Sequence, residues 1–484
     1  MTPKRDHFIE FVHHNVTTIK NHPILPTLSM GLLLLGTGDS ERLVNIGFIL
    51  LCVLIIGHSF LIWYNKRYEF QQGAFFYTHG VFHRTYNHVP FQNIKSIYLT
   101  DTWFKRLMGL SNLHIELLGG EKIHFVLKNK EIYELRKTIF HEWFFEQKTE
   151  NNNRFRPFEY FLLSTTNFPL ILAGWSLTLT SLSFVLKHFS VLLGLETAKE
   201  HEQSIQDTRG LLERLSSEGL LQLDFHFWIP LIILIGVTGI IAMLFTFVMS
   251  MITYRGFSLQ KRVTEYEVSY GLLNRNQYVL PLKDVRSLRI VEPMWFRLFG
   301  YVQVKMDHIG LNERAAKQLY VAPILKKAQL NAYFSEWFPQ FSIDEKIESP
   351  ERKSLVLFLW KKPLIWTVII TILGSQWSLF LFGYAILPFL LLYGYLEWKH
   401  EGLGFNDNFI MSRNVERFTI VTIVTPVKHV ESTSFAQAFW SKKRGYGSYS
   451  FALYSEKLEE VYTCTGISDE RQKEFLNYLI ERTP

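Results

Sequence analysis

Three short phrases in this chain set an aromatic ring beside a cation. Trp103 stands with Lys105 and Arg106 in WFKRLMGL (103–110), and Trp295 with Arg297 in WFRLFGY (295–301). Trp440 stands with Lys442, Lys443 and Arg444 in WSKKRGY (440–446). An indole favours the boundary between hydrocarbon and water, and each nearby Lys or Arg adds roughly 1 kcal/mol of attraction to an anionic lipid surface. The chemistry open to such a group is non-covalent: seating on membrane lipid or on a partner. The same residues also fit a packing turn, with the aromatic in a core and the following glycine at positive φ. Duplicated folds keep their packing, so the packing reading is preferred for Trp295 and Gly300, with Arg297 left to touch lipid or a partner.

Other chemistry finds little support. The chain has 17 histidines, yet His79 and His83 share a face only if their segment is a helix. It reads as strand, where four residues span about 13 Å at roughly 3.3 Å each. No cysteine joins them, or His88, His114 and His124, so no metal site is expected. His58 is the obviously titratable group inside a strong apolar run, a functional candidate by default at membrane depth. A neutral imidazole against a neighbouring helix is the simpler account. Gly-rich phosphate loops, H-E-x-x-H and G-x-S-x-G are missing. The expectation is a chain without catalytic residues, metal or cofactor.

The elements that must position the phrases are greasy. Hydrophobic residues make up 48% of 484, aromatics 15%, and the apolar positions come in blocks. Residues 43–64, 167–186 and 225–254 each run 20 or more positions without a formal charge. That is enough to cross a hydrocarbon core about 30 Å thick. Two further runs, 23–38 and 363–396, complete six spans if the second turns back near Gly374. One tilted helix or a re-entrant loop is the alternative there. No small-residue cleavage site follows 23–38, which reads as a retained span. Two cysteines, Cys52 and Cys464, supply no disulfide framework. The net charge of +7 suits an anionic membrane surface and is too small to argue for nucleic acid.

The phrases keep a common ruler. Gly109 lies 19 positions past Pro90, Gly300 19 past Pro281 and Gly445 19 past Pro426. Ten positions before the first two prolines stand Gly80 and Gly271, where the third copy has Glu416. Three copies on one spacing mean internal triplication. Each copy is a pair of spans followed by a polar domain: 1–64 then 65–147, 157–254 then 255–340, and 361–397 then 398–484. The interval 187–224, with net charge −3, is expected outside the cell as a loop holding an amphipathic helix near the outer surface. Lys4, Arg5, Lys20, Lys66, Arg67, Lys361, Lys362 and Lys399 flank the domains, so the positive-inside rule puts domains and termini in the cytoplasm.

Within the first copy Ile94, Ile97 and Leu99 follow a strand-like period. Ile115 and Leu117, then Ile123, Phe125 and Leu127, alternate on either side of Gly119-Gly120, a hairpin signal. A closing helix follows, with Ile132, Leu135, Ile139 and Trp143 on one face. Residues 322–337 fill that slot in the second copy, and Phe475, Leu476, Leu479 and Ile480 mark it in the third. Short antiparallel strands ended by a helix make a small α+β domain.

Paired spans with the G-x-x-x-R, P-x-x-x-(V/I) and W-F-x-R-L-x-G phrases resemble the bacterial pleckstrin-homology-like membrane proteins of the YdbS/YdbT group. The order of elements matches over nearly the whole chain, in the triple arrangement of the larger type. The third copy departs from the pattern at its glycine and at Ser441–Arg444. The resemblance implies a bent, partly open β-barrel with a C-terminal helix across one mouth. It implies a smaller YdbS-like single-domain membrane protein as partner, beside membrane lipids, and a role in envelope defence against membrane-active antimicrobials. The expected whole is six helical spans in three hairpins carrying three pleckstrin-like domains, a non-enzymatic docking platform at the plasma membrane. Lipid or peptide transport is the alternative.

Overall fold

The computed structural model describes residues 4–12, 15, 53–71, 73–81, 83–117, 121–132, 135, 149–152, 154–166, 171–172, 175–176, 225–262, 265–308, 319–341, 347–376, 378–406, 408–453 and 460–480. The first repeat runs β1 (Lys4–Arg5), α1 (Val53–Asn65), β2 (Arg67–Gln71), β3 (Ala74–His79), β4 (Thr85–Pro90), β5 (Ile94–Asp101), α2 (Trp103–Leu107), β6 (Leu110–Leu117) and β7 (Lys122–Lys128). The second runs β8 (Thr149–Asn152), α3 (Pro157–Thr165), α4 (Phe225–Tyr254), β9 (Ser258–Lys261), β10 (Glu265–Tyr270), β11 (Arg275–Pro281), β12 (Val285–Glu292), α5 (Met294–Leu298), β13 (Tyr301–His308), β14 (Tyr320–Lys326) and α6 (Leu330–Trp337). The third runs α7 (Leu355–Gln376), α8 (Leu387–His400), β15 (Gly402–Phe405), β16 (Phe409–Glu416), β17 (Thr419–Pro426), β18 (Val430–Ala436), α9 (Phe439–Lys442), β19 (Tyr446–Leu453), β20 (Glu460–Ser468) and α10 (Asp469–Ile480).

The residues of the ruler fall where their backbones require. Each marker proline ends a strand and leads into one 3-10 turn, at Phe91–Asn93, Leu282–Asp284 and Val427–His429. Proline has no N–H for the ladder and its φ is already set for the turn. Gly80 and Gly271 sit at φ 109° and 110°, and a Cβ there would lie 1.9 Å and 2.0 Å from the carbonyl oxygens of His83 and Asn274. The third copy lacks this glycine because its loop is shorter. Arg417 and Phe418, at φ 48° and 66°, form a two-residue hairpin between Glu416 and Thr419, the geometry of a type I′ turn.

In the first and third repeats two sheets enclose a core closed by the last helix. Tyr68, Phe75, Tyr77 and Val89 of one sheet meet Ile97, Leu99, Leu113 and Phe125 of the other, with Ile132 and Leu135 following. In the third repeat Leu403, Ile410 and Ile423 meet Tyr449, Phe451, Cys464 and, from α10, Phe475. The strands on either side of Gly119-Gly120 pair as a hairpin, although the two glycines, Ile139 and Trp143 lie outside the described residues. Of residues 322–337, those to Lys326 are strand and only Leu330–Trp337 are α-helix. Pro323 sits in that strand, and β-branched Val321 and Ile324 favour it.

No closed barrel forms among the described residues. The second sheet of one repeat instead continues into the first sheet of the next. The described residues fall into two compact units, one within Met1–Asn153 and Gly256–Asp284, the other within Arg154–Arg255, Val285–His308 and Glu313–Pro484. The first unit holds a seven-stranded sheet in the order β7-β6-β5-β11-β10-β9-β8, joined at β5–β11. The second holds a six-stranded sheet in the order β14-β13-β12-β17-β16-β15, joined at β12–β17. Each junction satisfies backbone groups that an isolated domain would leave open at an edge.

Two described helices, Gly236–Tyr254 and Arg352–Ser375, are long and apolar enough to cross a membrane, and Val53–Asn65 is a shorter apolar helix. The expected run 363–396 is two segments. The α7 helix continues through Gly374 to Gln376, a 3-10 stretch spans Ser378–Ile386, and α8 follows. The two helices pack closely at Gly394, where a Cβ would lie 2.4 Å from the Phe358 carbonyl oxygen. Span 23–38 and the loop 187–224 lie outside the described residues, so six spans are not established by these helices.

Candidate membrane-interface site

Each aromatic–basic phrase folds into one short helix, α2, α5 or α9, between two strands of the second sheet. Gly109, Gly300 and Gly445 end these helices at φ 67°, 71° and 74°. Their N–H groups donate to the carbonyls of Arg106, Arg297 and Lys442. That is the left-handed termination glycine allows at little cost.

A one-turn helix can bury one residue of the phrase and must expose its neighbours. The inward position lies four residues before the glycine and is Lys105, Phe296 or Ser441. Trp103, Phe104, Leu107 and Met108 are exposed in the first phrase; so are Met294, Trp295, Leu298 and Phe299 in the second. This corrects the packing expectation for Trp295, which is 51% exposed, whereas Phe296 is fully buried. Adjacent helical residues point about 100° apart, and composition alone does not say which ring turns inward.

In the second phrase Phe296 is fastened to the ends of apolar helices. It packs with Tyr160 and Leu163 of α3 and with Tyr254, the last residue of the 30-residue α4. Phe299 meets Phe158 edge-on at 5.0 Å. The exposed Trp295, Leu298 and Phe299 therefore stand where an apolar helix ends, a level that suits aromatic and basic side chains. In the third phrase Phe439 is exposed with the Lys443 ammonium 4.9 Å from its ring centroid, and Lys442 and Arg444 are exposed beside it. The Trp440 side chain lies outside the described residues.

Lys105 is a second correction. Expected at the lipid surface, it is 3% exposed, with Nζ 2.5 Å from Asn112 Oδ1 and 3.9 Å from Glu10. Burial pushes its pKa down, against the pull of Glu10 and Asp6. Around it lie Asp6, bonded to the Lys66 ammonium and the Val126 N–H at 2.7 Å each, and His124, 3.2 Å from Glu10. Burial alone would raise the Glu10 carboxyl, but the His124 hydrogen bond and nearby cations outweigh it and bring the pKa to about 2. A cavity of about 300 Å³ opens beside this cluster, lined by Glu10, Trp63, Lys66, Tyr77, Glu121 and His124. A comparison of the copies would have flagged the cluster, since Lys105 occupies the place of Phe296.

Arg106, expected at lipid or a partner, has a partner within the chain. It donates to the carbonyl of Leu272 at 3.2 Å, in the turn between β10 and β11 of the next repeat. Leu272 and Leu273 of that turn are themselves exposed. The histidines have packing roles: His79 stacks on Tyr77, His88 lies against Phe76, and His114 stacks on Tyr98. His58 is exposed on α1, and the span 23–38 expected beside it lies outside the described residues.

Comparison with known proteins fits this architecture. A model of the bacterial PH domain family matches residues 24–143 and 220–333, the first two repeats. UPF0699 transmembrane protein YdbT of Bacillus subtilis (strain 168) is 24% identical over 246 residues, which is 49% of this chain and 49% of that protein. The match thus spans about half the length of that relative. With apolar helices of membrane-crossing length and sheet-rich repeats on one ruler, the chain carries two regions that match the bacterial PH domain and resembles the YdbT-like transmembrane proteins.

Proposed function

We propose that this is a multi-pass plasma-membrane protein whose pleckstrin-like domains form a non-enzymatic docking platform on the cytoplasmic face. One observation carries the reading: the phrase helices bury Phe296 against the ends of apolar helices and turn Trp295, Leu298 and Phe299 outward beside Arg297. Such a row can seat a domain on the headgroup region without a lipid-specific pocket. The continuous sheets support a platform, since each junction ties successive domains through a backbone ladder. The family resemblance adds a smaller YdbS-like single-domain membrane protein as partner and a part in envelope defence.

A spin label at Leu298→Cys, with the full chain in anionic lipid nanodiscs, tests the seating. The label should be more accessible to oxygen than to a water-soluble nickel complex. The reverse preference would remove the interfacial reading. Purification from native membrane in mild detergent, followed by mass spectrometry, tests the platform; recovery of the chain alone would argue against a stable partner.

A further inference from the structure

The two internal junctions use one register. Counted from each marker proline, the residue seven positions after it pairs with the residue two positions before the next repeat's proline: Ile97 with Val279, and Leu288 with Val424. The match continues through the next four pairs, to Asp101 with Arg275 and Glu292 with Ile420. One junction geometry is therefore written twice, and register in a sheet tolerates no slip because a one-residue shift exchanges the faces.

Three repeats joined head to tail leave one edge of each kind. Strand β4, the counterpart of β11 and β17, ends its four-stranded sheet, and β18, the counterpart of β5 and β12, ends its three-stranded sheet. Neither has a strand on its outer side among the described residues. Tyr86 in β4 is 75% exposed, and β18 shows alternating half-buried and exposed positions where β12 is almost wholly buried. Neither strand carries a lysine, and their only proline, Pro90, stands at the end of β4. The usual protections of a free edge are thin.

We infer that β18 of one chain pairs with β4 of a second copy of this chain, in the register of the internal junctions. That register sets Thr433 opposite His88, Ser434 opposite Asn87 and Phe435 opposite Tyr86. The last is a cross-strand aromatic pair, and it would cover the exposed Tyr86 ring. At the corresponding positions the internal junctions place Ile97 and Leu99, or Leu288 and Ile290. Thr433 and Phe435 bury less apolar surface, so the junction between copies is the weaker one and reversible. It is also heterologous, one edge type meeting the other, so it extends from copy to copy until a ring closes.

Disulfide trapping tests this with the full chain in nanodiscs or mild detergent. In a Cys52→Ala background, with the buried Cys464 retained, Ser434→Cys and Asn87→Cys are placed on separately tagged chains and co-expressed. Oxidation should join the two tags. Ser434→Cys with His88→Cys, one residue out of register, should give at least about tenfold less because the thiols lie on opposite faces. Tyr86→Lys, at an exposed position, should shift the untrapped protein toward monomer by mass photometry while leaving Tm unchanged. The proposal is overturned by equal trapping at both registers, by a monomer at every concentration with no trapping, or by an intrachain disulfide when both cysteines are on one chain. Selective trapping of a different protein by Ser434→Cys overturns it too.

Discussion

Tyr98 and Tyr278 belong to different repeats yet stack across the β5–β11 junction, with ring centroids 5.9 Å apart and planes 23° from parallel. Aromatic pairs of this kind contribute about 0.5–1.5 kcal/mol beyond their buried area. A double-mutant cycle with Tyr98→Ala and Tyr278→Ala should therefore show coupling of about that size in thermal unfolding of the detergent-solubilised chain. Strict additivity would mean that the backbone ladder alone holds the junction.

Neighbouring rings of the second phrase should respond differently to truncation. Phe296→Ala empties a fully buried site and should cost about 3–5 kcal/mol. Trp295→Ala, at a half-exposed position, should lower Tm little but weaken binding of anionic lipid, whereas Arg297→Ala should flatten the salt dependence of that binding. Equal losses of Tm would restore the packing role for Trp295.

Two glycines of the second repeat should also part company. Gly271→Ala must displace the Asn274 carbonyl, 2.0 Å from the new Cβ, in addition to holding φ 110°. Gly300→Ala meets nothing within 4 Å and bears only the left-handed backbone at φ 71°. The second change should cost about 1–2 kcal/mol and the first distinctly more. Thermal melts of the two variants rank them.

Glu401 predicts a loss of stability toward alkaline pH. It follows α8, is 5% exposed and accepts the Thr465 N–H; burial, helped by the charge of Glu397, raises its carboxyl to about 8. A carboxyl raised in the folded state contributes stability that is full below its unfolded value of 4.5 and fades as pH rises through about 8. Tm of the wild-type chain should fall as pH rises from about 5 to about 8, and Glu401→Gln should flatten that part of the curve. An unchanged slope would show that another group titrates there.

The sequence by itself determined what is local or periodic. A proline without an N–H, a glycine at positive φ and apolar runs of membrane length constrain their own few residues, so the ruler and the strand–turn–helix order were legible without a partner segment. Even the third copy's missing glycine has a local cause in its shorter turn at Arg417 and Phe418. Which ring of a phrase turns inward depends instead on what waits beneath it: α3 and the end of α4 below Phe296, and Asn112 and Glu10 around Lys105. The largest difference, sheets that run from one repeat into the next, was decided only by tertiary structure. An edge strand pairs with whatever complementary edge the chain brings alongside, and the residues of β5 and β12 alternate as they would beside any partner.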